Sequence, residues 1–151
     1  MARVMVFTGS FVIFMGLSFL IARSVSTGKL YEAHEVDWRF LGGLDFITGH
    51  ISDPIRALDG AFVKVPGFMV PLEDNIRQTH EFLLVPTPQA CIHVPPPPPN
   101  QMVHVKLEKG RHVEVSFGPI WVYGTLKISN IRHLYGESSY QMEAVAIEPY
   151  R

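Results

Sequence analysis

Cysteine occurs once in the 151 residues, at Cys91, so no intramolecular disulfide can form and the folded state must rest on packing. An excess of positive charge is also missing: 13 Lys and Arg stand against 14 Asp and Glu, a formal net charge of −1. Nucleic-acid binding depends on neutralising phosphates with a basic field, so nucleic acid is not an expected partner. The seven histidines are scattered and form neither an HxH nor an HExxH cluster. No nucleophile-elbow motif accompanies Cys91, and no cysteine follows the apolar N-terminal run, which excludes a lipoprotein signal.

The first long feature present is that apolar run. Val4 to Ala22 carries no charge, and its length of about 19 residues is close to the ~20 that a helix needs to cross a bilayer. The run exceeds the roughly 7 to 15 apolar residues of a cleaved signal, so an uncleaved transmembrane helix is the expectation, with Ala22-Arg23-Ser24 as the cleavage point of the alternative. Arg3 flanks one side and Arg23 and Lys29 the other, which leaves orientation open. The expected organisation is a membrane anchor or signal segment over residues 1–24, a polar linker over 25–35 and one globular domain over 36–151.

Within that domain, Val36, Phe40 and Leu44 keep helical spacing until Gly42-Gly43 interrupts it. Ser52 or Asp53 before Pro54 starts a short helix over about 53–58, with Ile55 and Leu58 facing inward and Asp59-Gly60 as its stop. From Ala61 the period changes to two. Strands are expected over residues 61–70, with a bulge or bend at Pro66-Gly67, then over 80–85, 102–107, 113–117, 120–128 and 140–147. The fold class is therefore mainly β: a small closed OB-like barrel of five or six strands with one or two short helices, preceded by an N-terminal transmembrane helix.

One stretch breaks the strand pattern. Residues 87–105 contain Cys91, His93 two positions later, and the uninterrupted run Pro95, Pro96, Pro97, Pro98 and Pro99, followed by Asn100 and Gln101. Five prolines exclude a helix and favour a polyproline II path of about 3.1 Å per residue, roughly 15 Å in all. Asn100 and Gln101 are amides suited to bracing this loop or to contacting a partner.

In an extended segment Cys91 and His93 point to one side, with Cα atoms about 6.5 to 7 Å apart. A thiolate and an imidazole at that spacing can converge on a Zn²⁺ or Cu(I) ion. Two ligands do not complete a site; His80 or Glu81 on the preceding strand and His104 on the following one are the candidates for the rest, with His112 weaker. His80 and Glu81 face opposite ways in a strand, so at most one of them joins. The alternatives are a small buried cysteine with His93 packed on the proline rings, or a reactive thiol, which would need direct Cys–His hydrogen bonding and an oxyanion hole. His34, His50 and His133 are expected to be solvated, the pair Glu73-Asp74 to lie in a turn, and Trp121, Tyr123 and Phe117 to be core rather than a stacking platform.

The segments LDGAFVKVPGFMVPLED (58–74), EFLLVPTPQACIHVPPPPPNQMVHV (81–105) and PIWVYGTLKI (119–128) resemble a bacterial envelope family, domain of unknown function 3299. The resemblance implies an exported or anchored β domain on the periplasmic side of the inner membrane, encoded beside ABC transporters of the macrolide-exporter type, with some such gene sets responding to zinc supply. It implies no enzyme activity. The expected function is thus a membrane-anchored periplasmic accessory or binding module, tied to an ABC-type transport system and holding zinc at the Cys-x-His loop. A metal- or thiol-dependent envelope enzyme and a purely structural envelope protein are the alternatives.

Overall fold

Buried apolar residues alternate through Val63 and Val65, Phe82 and Leu84, Val103, Val105 and Leu107, and Tyr140, Met142 and Ala144, the period-two signature of strands with one face on a core. A computed structural model places these strands and describes residues 32–73, 77–88, 95–108 and 111–150. The unit they form spans His34–Arg151. No helix among the described residues is long and apolar enough to cross a membrane; the expected transmembrane segment, Val4 to Ala22, lies outside them, as do Cys91 and His93.

The elements are β1 (His34–Glu35), α1 (Trp38–Leu41), α2 (Asp53–Arg56), β2 (Phe62–Pro71), β3 (Gln78–Thr79), β4 (Glu81–Val85), a 3₁₀ turn (Pro99–Gln101), β5 (Val103–Leu107), β6 (Val113–Glu114), β7 (Ile120–His133) and β8 (Gly136–Pro149). Five strands close a ring in the order β2-β4-β5-β8-β7, and β7 returns to β2. All pairings in the ring are antiparallel except β5 with β8. The protein is mainly β with two short helices, and β1 adds a parallel pair at the flank of β2.

Pro66-Gly67 is the place where β2 changes neighbours rather than the expected bulge. Residues Phe62 to Gly67 pair with β7, and Phe68 to Pro71 pair with β4. A proline has no N–H to give to a ladder, and a Cβ on Gly67 would stand 2.7 Å from the Val85 carbonyl. Backbone irregularities fall instead in β7–β8, between Tyr123 and Gly124 and between Ile128 and Ile131. The residues expected as a strand over 113–117 pair only at Val113 and Glu114, with β3.

The core fills the ring with Val63, Val65, Phe82, Leu84, Val105, Val122, Leu126 and Met142, and Leu41 and Ile55 from the two helices pack on it. Asp37 caps α1, its side chain accepting from Phe40 N–H at 2.7 Å. Pro54 occupies the first turn of α2, where its missing N–H costs nothing. A second apolar cluster, Leu83, Val85 and Met102 with Phe68, Val70 and Leu72, lies on the opposite face of the same strands. That face carries the polar groups of interest.

Candidate functional site

The register of β4 against β5 sets Glu81 opposite Lys106 and Leu83 opposite His104. Alternation then turns Glu81, Leu83, His104 and Lys106 to the outer face while Phe82 and Val105 enter the core. Glu81 Oε1 lies 2.6 Å from His104 Nε2 and 3.4 Å from Lys106 Nζ. His104 is only 3% exposed, and burial pushes its imidazole below the usual histidine range, an effect that the hydrogen bond and charge of Glu81 only partly offset. The neutral ring donates Nε2–H to the carboxylate, which leaves Nδ1 as a bare acceptor. Nδ1 is buried and has no partner.

A second histidine stands beside it. The His133 ring lies 6.3 Å from that of His104, centroid to centroid, with planes 17° apart. His133 ends β7 at the tip of the β7–β8 hairpin, where Gly136 takes a positive φ of 127° to make the turn. Its Nδ1 accepts from Tyr135 N–H at 3.2 Å, and its Nε2 is buried without a partner. Burial, then the nearby His104, hold its pKa down. His133 was expected to be solvated; its place beside the His104 ring leaves it half-buried. Its isolation in a polar stretch, Ser129 to Leu134, leaves no sequence signal for that contact.

The other candidates do not gather here. His80 interrupts the run between β3 and β4, and its Nδ1 lies 2.9 Å from Glu73 Oε1. Glu73 Oε2 also accepts from His80 N–H at 2.9 Å and from Thr79 Oγ1 at 2.8 Å. His112 meets the His80 ring edge-on at 5.4 Å. Among the described residues no group of three or more His, Cys, Asp and Glu side chains is placed to hold a metal. His34 and His50 are exposed.

The connection from β4 to β5 carries Cys91 and His93, which lie outside the described residues, and then the proline run. Pro95, Pro96 and Pro98 are exposed, Pro97 and Pro99 partly so, and Pro98 has polyproline II dihedrals of −63° and 157°. Asn100 Nδ2 donates to the carbonyls of Gly42 and Leu44, each at 2.9 Å, and Gln101 Nε2 donates to Trp38 O at 2.9 Å. These amides moor the end of the proline run to α1 and the turn that follows it. The run therefore returns the chain to β5 at a fixed point.

The aromatic residues divide. Phe117 is 89% exposed, Tyr123 is buried with its hydroxyl donating to Glu148 Oε2 at 2.9 Å, and Trp121 packs on Tyr150 with Lys64 Nζ 4.6 Å above its ring. They form no common platform. Hollows of about 310 Å³ between Trp38, Phe68 and Tyr150, and of about 480 Å³ beside Val115 and Ile147, are lined by residues other than Glu81 and His104.

A single mainly β unit, closed through β2 and β7 and carrying a carboxylate–imidazole pair on its outer face, defines the class of protein. The chain belongs to the family described as "Protein of unknown function (DUF3299)", whose model matches residues 50–149. It is similar to a DUF3299 family protein from Pseudomonas aeruginosa PAO1 known from a crystal structure. The two share 32% identity over 80% of this chain and 97% of that one, with a TM-score of 0.61. No curated protein matches the chain.

Proposed function

We propose that this protein is a membrane-anchored, periplasm-facing binding module, an accessory of an ABC-type envelope transport system. Its ligand region is the outer face of β4 and β5 together with the connection between them. The observation that carries this reading is the Glu81–His104 pair. A carboxylate that accepts one ring N–H and leaves the other nitrogen bare is how proteins prepare histidine for a metal ion. Zinc is the ion we favour, with Cys91 and His93 as further ligands on the connection, since thiolate and imidazole suit it together.

The finer architecture we assign is an OB-like barrel. The ring order with one parallel pair, β5 with β8, supports it, and in such folds ligands meet the sheet face and the loops. The uncharged run Val4 to Ala22 supports the anchor. The near-neutral charge gives no support to a nucleic-acid partner.

Elemental analysis of the full chain, purified in mild detergent and dialysed, tests the reading. Near-stoichiometric zinc in the wild type that falls in Cys91→Ser and in His93→Ala is expected. Metal absent from the wild type, or unchanged in both variants, would remove the loop as a metal ligand.

A further inference from the structure

Four buried side-chain atoms of β5, β7 and β8 lack partners: His104 Nδ1, His133 Nε2, Ser138 Oγ and Ser139 Oγ. Buried polar atoms are paired in the great majority of cases, so the two that lie on neighbouring side chains call for an occupant. Two of the four are ring nitrogens on neighbouring, nearly parallel imidazoles.

We propose that His104 Nδ1 and His133 Nε2 are the ligands of one divalent transition-metal ion of the borderline class, such as Zn²⁺, Ni²⁺ or Cu²⁺, with solvent completing its coordination. The inference rests on the reading that this face binds metal, but assigns its protein ligands without the Cys91–His93 connection. Imidazoles bound to one ion at Zn–N distances of 2.0 to 2.1 Å have ring centroids no more than about 6.5 Å apart. The observed 6.3 Å falls inside that limit, which corresponds to nitrogens on opposite sides of the ion; tetrahedral geometry brings the centroids to about 5.2 Å, so binding draws His133, on its hairpin tip, about 1 Å inward.

Glu81 is a positioning residue in this arrangement. It accepts the Nε2 proton of His104 and so fixes which nitrogen is bare. Lys106, 3.4 Å from the same oxygen, shares that carboxylate. His133 has the opposite requirement: binding at Nε2 moves its proton to Nδ1, which gives up the long 3.2 Å bond from Tyr135 N–H. The Tyr135 amide is therefore a reporter of occupancy built into the hairpin tip.

The test titrates ZnCl₂ into the full, metal-stripped chain in detergent by calorimetry, for the wild type, His104→Ala, His133→Ala, His133→Phe and the double variant Cys91→Ser/His93→Ala. Binding near one ion per chain that weakens at least about tenfold in His133→Ala and His104→Ala supports the site. His133→Phe keeps a ring against His104, so the same loss there, with an unchanged unfolding midpoint, assigns the effect to the nitrogen. A zinc-dependent shift of the Tyr135 amide resonance is expected alongside, and Glu81→Gln is expected to shift the His104 ring-nitrogen resonances and weaken binding about tenfold. Wild-type affinity in His133→Ala overturns the inference, as does a wild type that takes up no zinc. The double variant reads the connection separately: zinc lost there but kept in His133→Ala leaves the Cys91–His93 reading standing and this one overturned.

Discussion

The Tyr140 hydroxyl donates to the carbonyl of Leu41 at 2.7 Å, a buried bond between residues 99 apart in the chain. Leu41 ends α1, and its carbonyl also accepts from Leu44 N–H at a longer 3.3 Å. Tyr140 lies at 0% exposure inside the ring and pairs with Val103 on β5 and Ile128 on β7. One hydroxyl therefore ties the helical segment to the strand that carries the parallel pairing, and burial pushes its phenol far above the ordinary tyrosine range.

Tyr140→Phe removes this donor and leaves the Leu41 carbonyl with only the longer bond from Leu44 N–H. A loss of about 0.5–1.5 kcal/mol is expected, read as a lower urea midpoint at unchanged m-value. A midpoint equal to wild type would show that the bond contributes nothing net.

Gly124 sits where β7 and β8 slip register, opposite Ala144. A Cβ there would run into the backbone carbonyl of Glu143 and the Ala144 Cα, and backbone does not move aside as a flexible side chain does. Gly124→Ala is expected to cost about 1–3 kcal/mol. Gly118 has open space around the same position, so Gly118→Ala is the control, expected neutral or stabilising by up to about 1 kcal/mol. Equal thermal unfolding midpoints for the two variants would contradict the close approach.

Much of this was legible in the sequence where one face of a strand meets the core. The alternation of Val103, Val105 and Leu107 against His104 and Lys106 placed β5 and turned His104 outward, beside the correctly placed β4. The ends of β7 and β8 were not legible, because Ser129 to His133 and Gly136 to Ser139 extend as a hairpin of mostly polar residues whose order comes from pairing with each other. For the same reason His133 read as a loop residue: only the register of that hairpin carries it to His104. Val113 to Phe117 alternates like a strand, yet only Val113 and Glu114 find a ladder, since alternation states a preference and not a partner. The chemical identity of the loop amides was legible, but their targets in residues 38–44 depend on tertiary contact.

Those amides give a third prediction. Asn100→Ala leaves the Gly42 and Leu44 carbonyls without their donor, with an expected cost of about 2 kcal/mol. The effect should be local as well as global: limited proteolysis between residues 86 and 99 should quicken relative to cleavage elsewhere, because the mooring of the proline run is lost. Cleavage that quickens equally at all sites would indicate general destabilisation instead.

Glu73 gives the pH dependence. Its carboxylate accepts the backbone N–H of His80 and the hydroxyl of Thr79, and these bonds, in that order, hold its pKa below the ordinary 4.5. Both favour the charged form, so the folded state binds this proton less readily than the unfolded chain does. The stabilisation is then fully present above about pH 4.5 and is lost as pH falls through the lower, folded-state value. A carboxyl carbon titration by NMR should give Glu73 a pKa under 4.5 that rises in Thr79→Val, where the hydroxyl donor is gone. The acid limb of the unfolding midpoint should be shallower in Glu73→Gln than in the wild type. A Glu73 that titrates at 4.5 or above, or an acid limb unaltered in Glu73→Gln, would show that the fold draws no stability from this carboxylate.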